Sequence, residues 1–217
     1  MTEQKQGAGR VTILGINGHI GHFAAQAFVA GGWAVTGFGR SNRHPVPGVA
    51  FVRGDAANVS EMEEASAGAD VVVNALNLRY DQWDRGRYEA LTARVIAAMA
   101  AAPGATMLFP ANLYNYATSL RQVTPDAPQQ PGTPRGAIRV RVEAMLQEAA
   151  RQGAFRLAMI RAGDFFGPGS SGDWFDQVML REAGRGRFCV PGAPGVGHAW
   201  AYLPDLGKAF ERGAGGR

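Results

Sequence analysis

Apolar positions along this chain change their period repeatedly, and each change marks an element. Residues 11–15 (VTILG) are a short β-rich run that stops at a glycine, and from 18 to 30 the spacing turns helical, with Ile20, Phe23, Ala24, Ala27 and Phe28 on one face. Gly31 and Gly32 end that helix, and residues 33–40 (WAVTGFGR) read as a second strand, giving a βαβ unit of about thirty residues. The alternation continues with a strand at 49–52, a short acidic helix at 60–67, a strand at 69–75 (ADVVVNA) buried on both faces, and a long helix at 85–102. A strand at 106–109, a helix at 138–152 with Val142, Met145 and Leu146 inward, and a strand at 155–160 follow. This order predicts an α/β fold, a Rossmann-like doubly wound parallel sheet with helices on both faces.

Two stretches interrupt the pattern. Residues 124–136 (TPDAPQQPGTPRG) carry four prolines and predict a loop, and 164–173 predict a second, Gly-rich one. Both follow strands at the carboxyl edge, where open α/β sheets bind their ligands. Trp174, Phe175, Val178, Met179 and Leu180 form an apolar helical segment, read as core packing.

With 217 residues, 46% of them hydrophobic and 18% charged, the chain has the composition of a globular domain and excludes disorder. Cys189 is its single cysteine, so no intramolecular disulfide is expected. The first ten residues are polar and the apolar run 95–102 is cut by Pro103, so neither a secretion signal nor a membrane span is expected, and the expected location is cytoplasmic. The net charge of +4 rests on arginines scattered along the chain, with Lys5 and Lys208 the only lysines, a distribution that does not predict nucleic-acid binding. The expected partner is a small-molecule substrate of open identity, and a homo-oligomer is compatible with the sequence.

The chemistry begins at Gly15-Ile16-Asn17-Gly18-His19-Ile20-Gly21, a GxxGxxG turn between the first strand and the first helix. Residues without a Cβ let the backbone turn sharply and approach a pyrophosphate, while the helix N-terminus supplies free N–H groups. Gly15, Asn17, Gly18, His19, Ile20 and Gly21 are therefore the candidate dinucleotide cradle. The second strand ends in Gly39-Arg40-Ser41, with Arg43 nearby and no carboxylate for the adenosine ribose. Arg40 suits a 2′-phosphate, so NADP is expected ahead of NAD. His19 and His22 lack a third ligand, so no metal is expected. Neither a Walker lysine nor a G-x-S-x-G elbow is present, which argues against hydrolase chemistry.

Gly54-Asp55 follows the third strand, Asn74-Ala75 the fourth, and Arg161-Ala162-Gly163-Asp164-Phe165-Phe166-Gly167-Pro168-Gly169 stands later. With these segments the chain resembles the extended short-chain dehydrogenase/reductase superfamily, and within it the NAD-dependent epimerase/dehydratase group, whose members carry R-P-G-N-x-Y-G-P-G after the sixth strand. The resemblance runs from about residue 11 to 210. It implies that Asp55 and Ala56 sit at the adenine, Ala75 and Leu76 over the pyrophosphate and ribose side, and Gly163, Asp164 and Phe165 beside the nicotinamide. It further implies a late strand and helix over 198–210, with Asp205 at the helix start. Residues 1–217 are then one NAD(P)-binding domain with a core at 10–161 and a partial substrate-side region at 162–217, short or truncated, because members of the group usually continue further.

The group's chemistry uses a Tyr-x-x-x-Lys pair beside a Ser or Thr, and this chain has no such pair. Laying residues 134–143 on the group's P-Y-G-x-S-K-x-x-x-E pattern puts Arg135 at the tyrosine place and Arg139 at the lysine place; Pro110 takes the hydroxyl place. Arg139 retains the charge to hold the nicotinamide ribose, but arginine is a poor proton donor at neutral pH. Tyr114, Asn112 and Tyr80 are the substitutes in reach. Two readings follow: an atypical NADP(H)-dependent oxidoreductase or epimerase-like enzyme, or a non-catalytic NAD(P)-bound sensor or scaffold.

Overall fold

A computed structural model describes residues 8–169, 174–190, 192, 193 and 195–215. The elements are β1 (Arg10–Leu14), α1 (His19–Ala30), β2 (Ala34–Gly39), β3 (Val49–Arg53), α2 (Val59–Ser66), β4 (Val71–Asn74), α3 (Arg87–Ala98) and β5 (Thr106–Ala111), then α4 (Pro134–Arg151), β6 (Arg156–Arg161), β7 (Asp164–Phe166), β8 (Trp200–Tyr202) and α5 (Leu203–Ala214). Six strands form one parallel sheet in the order β3-β2-β1-β4-β5-β6. The chain moves outward from β1 through β2 to β3, then returns to the other side of β1 with β4. That reversal opens a crevice at the carboxyl ends of β1 and β4, the position at which doubly wound sheets take ligands.

Both faces of the sheet are covered, so the central strands read as continuous apolar runs. Successive side chains point to opposite faces. Thus Val72, Met107 and Phe109 pack with Leu91, Val95, Val142 and Leu146 of α3 and α4, while Val71, Val73 and Leu108 pack with Phe28, Leu206 and Phe210 of α1 and α5. Gly207 lets α5 approach the Phe23 carbonyl of α1 directly, and Trp33 Nε1 donates to Glu211 Oε1 at 3.3 Å.

Three boundaries differ from expectation. Helix α4 begins inside the expected proline loop: Pro134 occupies its first turn, where its missing N–H is harmless, and the Thr133 hydroxyl caps it by accepting from Gly136 N–H at 3.1 Å. The expected Gly-rich loop from 164 opens with β7, which pairs with β8 in the register Asp164↔Trp200; residues 170–173 lie outside the described residues. The segment after it makes only the short helical turn Phe175–Met179, in which Met179 alone is buried and Trp174 stays 43% exposed. One turn is too short to present an apolar stripe, which corrects the core reading. Among the described residues, no helix is long and apolar enough to cross a membrane.

Candidate functional site

The turn after β1 is built by three glycines with separate tasks. Gly15 has φ +89° and donates to the Phe38 carbonyl at 3.0 Å, and a Cβ there would stand 2.8 Å from the Ala75 carbonyl. Gly18, extended and without a side-chain cap, opens α1, whose first turn carries no acidic residue. Its leading N–H groups and positive dipole end therefore suit an anion. Gly21 packs the first turn of α1 onto the Gly15 carbonyl. The Asn17 amide donates to the Ser41 carbonyl and accepts from Arg43 N–H at 3.1 Å, fastening the segment after β2 to the turn.

A cavity of about 240 Å³ runs over this turn, lined by Gly15, Asn17, Gly18 and Arg40 together with Asp55, Ala56, Ala75 and Leu76. Asp55 N–H donates to Glu61 at 2.7 Å and its carboxylate accepts from Ala57 N–H at 2.9 Å, which shapes the wall. Arg40 also lines an adjoining open pocket with Ser41, Arg43 and His44. A larger cavity, about 880 Å³, shares Ala75 and Leu76 with the first and takes Ile20, Asn112, Tyr114, Arg139, Gly163, Asp164 and Phe165 into its wall. The expected site residues thus come to two joined cavities along the sheet edge, with three exceptions. Gly21 lies beneath the turn, and His19 opens α1 without lining either cavity. Arg135 stands beside the larger cavity, its guanidinium 5.5 Å from the centroid of the Tyr80 ring that lines it.

Arg139 is 3% exposed; Nη1 donates to the Tyr88 hydroxyl at 2.6 Å and Nη2 to the Pro110 carbonyl at 2.7 Å, with the Phe109 ring 4.7 Å away. Its Nε is buried without a partner. The guanidinium is thereby fixed in the cavity wall, and the partner Tyr88 has its pKa raised by burial against the opposing pull of Arg139. Tyr114 and Tyr80 place their hydroxyls 3.4 Å apart. Burial first, then this contact and the nearby Asp164 carboxylate, push the Tyr114 pKa upward, which makes it a weaker acid. Asn112 serves the loop itself, its Oδ1 accepting from Tyr114 N–H at 3.1 Å.

Sequence reasoning missed two constellations. Glu143, fully buried on α4, is bonded by Arg161 at 2.8 and 3.1 Å and by Gln129 at 3.0 Å, while Arg161 also donates to the Asn112 carbonyl and Gln129 accepts from Asn115 at 3.1 Å. This buried pair ties the 112–129 segment to α4 and β6. Its signal was present: Arg139 and Glu143 are charges placed one turn apart on the inward face of α4. The second is His198 Nε2 at 2.7 Å from Asp164 Oδ2 in the wall of the larger cavity. The two are 34 residues apart, and no spacing rule joins them. Among the described residues, no group of three or more His, Cys, Asp or Glu side chains comes together to hold a metal.

The model of the NAD dependent epimerase/dehydratase family matches residues 11–186. No curated protein matches the chain. Among solved structures, it is similar to UDP-N-acetylglucosamine 4-epimerase from Bacillus cereus, with 14% identity over 94% of this chain and 71% of that one and a TM-score of 0.81. UDP-glucose 4-epimerase from Brucella ovis in complex with NAD gives 19% identity, 95% and 73% coverage and a TM-score of 0.79. UDP-glucose 4-epimerase from Thermus thermophilus, in complex with NAD, gives 17% identity, 96% and 75% coverage and a TM-score of 0.77. At these identities the likeness is one of fold.

Proposed function

The chain belongs to the NAD dependent epimerase/dehydratase family, and from that membership we propose that it holds a nicotinamide dinucleotide along the two joined cavities and exchanges hydride with a small-molecule substrate in the larger one. The observation that carries this reading is the cradle at Gly15, where backbone, not side chain, faces Ala75 beside the open N-terminus of α1. In it, Gly18 and the first turn of α1 bind the pyrophosphate, and Asp55 and Ala56 flank the adenine. Ala75 and Leu76 pass the cofactor on to the larger cavity, where Gly163, Asp164 and Phe165 flank the nicotinamide. When bound, the cofactor supplies the hydride acceptor or donor.

NAD is the form we propose, in line with the relatives solved with NAD; the expected preference for NADP finds no support in them. Arg40 and Arg43, beside the adenosine end, are the features that speak for NADP. Titrating cofactor-stripped protein with NADH and with NADPH, following energy transfer from tryptophan to the reduced nicotinamide, separates the two. NADH binding at least as tightly as NADPH supports NAD. An NADPH preference of about tenfold or more that Arg40→Ala abolishes would support the 2′-phosphate reading. Binding of neither form would overturn the proposal.

A second reading, a non-catalytic dinucleotide-bound sensor or scaffold, draws on the bond between Arg139 and the Pro110 carbonyl. Two relay positions are there joined to each other. Tight NADH binding without deuterium transfer from labelled NADH to any of a panel of carbonyl compounds would favour it.

A further inference from the structure

We propose that His198, held by Asp164, is the group that takes up and returns the substrate proton in the larger cavity; the proposal rests on the reading that this cavity receives the nicotinamide. The usual tyrosine and lysine are replaced by arginines, which stay protonated at neutral pH and exchange protons poorly. Of the tyrosines in the cavity wall, Tyr88 is bonded to Arg139, Tyr80 and Tyr114 lie against each other, and Tyr116 is buried under the Arg161 guanidinium at 5.0 Å. Burial moves Tyr88 and Tyr114 further from neutrality. Imidazole is the side chain whose ordinary titration range spans neutral pH.

The geometry around His198 is that of a held base. Nε2 lies 2.7 Å from Asp164 Oδ2, and the ring packs 4.7 Å from the Trp200 ring. Asp164 is itself fixed, since its N–H donates to the Ala199 carbonyl at 3.0 Å and it pairs with Trp200 in the β7–β8 register. Gly163 allows this close approach, because a Cβ there would collide with the Ala199 carbonyl. With Nε2–H donated to Asp164, Nδ1 keeps the free lone pair. When bound, the nicotinamide would supply the acceptor for the substrate's hydride in the oxidising direction, and the substrate's hydroxyl proton would pass to Nδ1 of His198. A carbonyl and an imidazolium paired with Asp164 result, and the reverse step returns hydride and proton.

The test is calorimetric titration of the full chain with NAD+ and with NADH between about pH 5.5 and pH 8.5, spanning the imidazole range. A positive nicotinamide ring near an imidazolium disfavours both, so NAD+ affinity is expected to rise about tenfold relative to NADH from the acidic to the basic end of this range. In H198Q the two forms should no longer diverge with pH. In D164N, which keeps the imidazole but removes the carboxylate that holds it, the divergence should shrink, and this variant tests the coupling even if H198Q does not fold. Among the described residues, the other charged or titratable groups in the wall of this cavity are Asp164, Tyr80, Tyr88, Tyr114, Tyr116, Arg121 and Arg139. His19 and His22 lie on α1 and His44 beside Arg40, all outside the wall of the larger cavity, and they would shift both cofactor forms alike. A purely structural His–Asp pair would alter the melting temperature without producing the divergence. Identical pH profiles for NAD+ and NADH in the wild type, or a divergence that persists in H198Q, would overturn the proposal. Binding of neither form would instead overturn the cofactor reading beneath it.

Discussion

Gly15 carries two constraints at one position, a positive φ and backbone contact with Ala75, so any side chain there is strained by conformation and by space. Gly15→Ala is expected to cost about 2 kcal/mol in urea unfolding and to weaken NADH binding at least tenfold by the tryptophan signal. Glu143 faces the opposite problem, a buried charge that depends on its partner. Glu143→Ala leaves the Arg161 guanidinium uncompensated and should cost about 3–5 kcal/mol in the same unfolding measurement. His22 adds a pH term: burial first, then His44, lowers its pKa below the ordinary value, so the folded state resists its protonation. Stability should fall as pH drops from about 6.5 through that lowered value, and His22→Gln should shrink the loss of Tm between neutral and mildly acidic buffer.

Among the elements, α4 shows how a local signal competes with a compositional one. Its prolines and glycines read as loop, yet Thr133 and Pro134 are a cap and a first-turn residue, and the helix starts there. That start decides the site, because Arg135 reaches the Tyr80 ring from it and Arg139 reaches Pro110 one turn later. Thr133→Ala should cost about 1 kcal/mol, with Thr133→Ser close to wild type, by thermal melting. Within β5, Pro110 is tolerated because pairing with β4 ends at Leu108 and only β6 continues beside it.

Over the whole molecule, the position of α1, which follows the glycine turn, depends on a helix formed late in the chain. Phe210 of α5 is fully buried against the face that α1 also covers, and Gly207 brings the two helices into backbone contact. Phe210→Ala should therefore cost about 3 kcal/mol or more, roughly 6–12 °C in Tm for a domain of this size, in a differential scanning experiment.

Hydrophobic period, glycine spacing and short segments such as 161–169 determined by themselves the strand and helix order, the parallel sheet, and most of the residues that come to the two cavities at its carboxyl edge. All of these are local: a period of two or of 3.6 and a turn lacking Cβ atoms are written in consecutive residues. Tertiary structure decided what depends on partners distant in sequence. It engaged Arg139 with Tyr88 and Pro110, gave Glu143 to Arg161, paired β7 with β8, and set His198 against Asp164. The physical reason is that a side chain's chemistry follows from the charge, burial and donors around it, and those are assembled only when separate elements meet at one edge of the sheet.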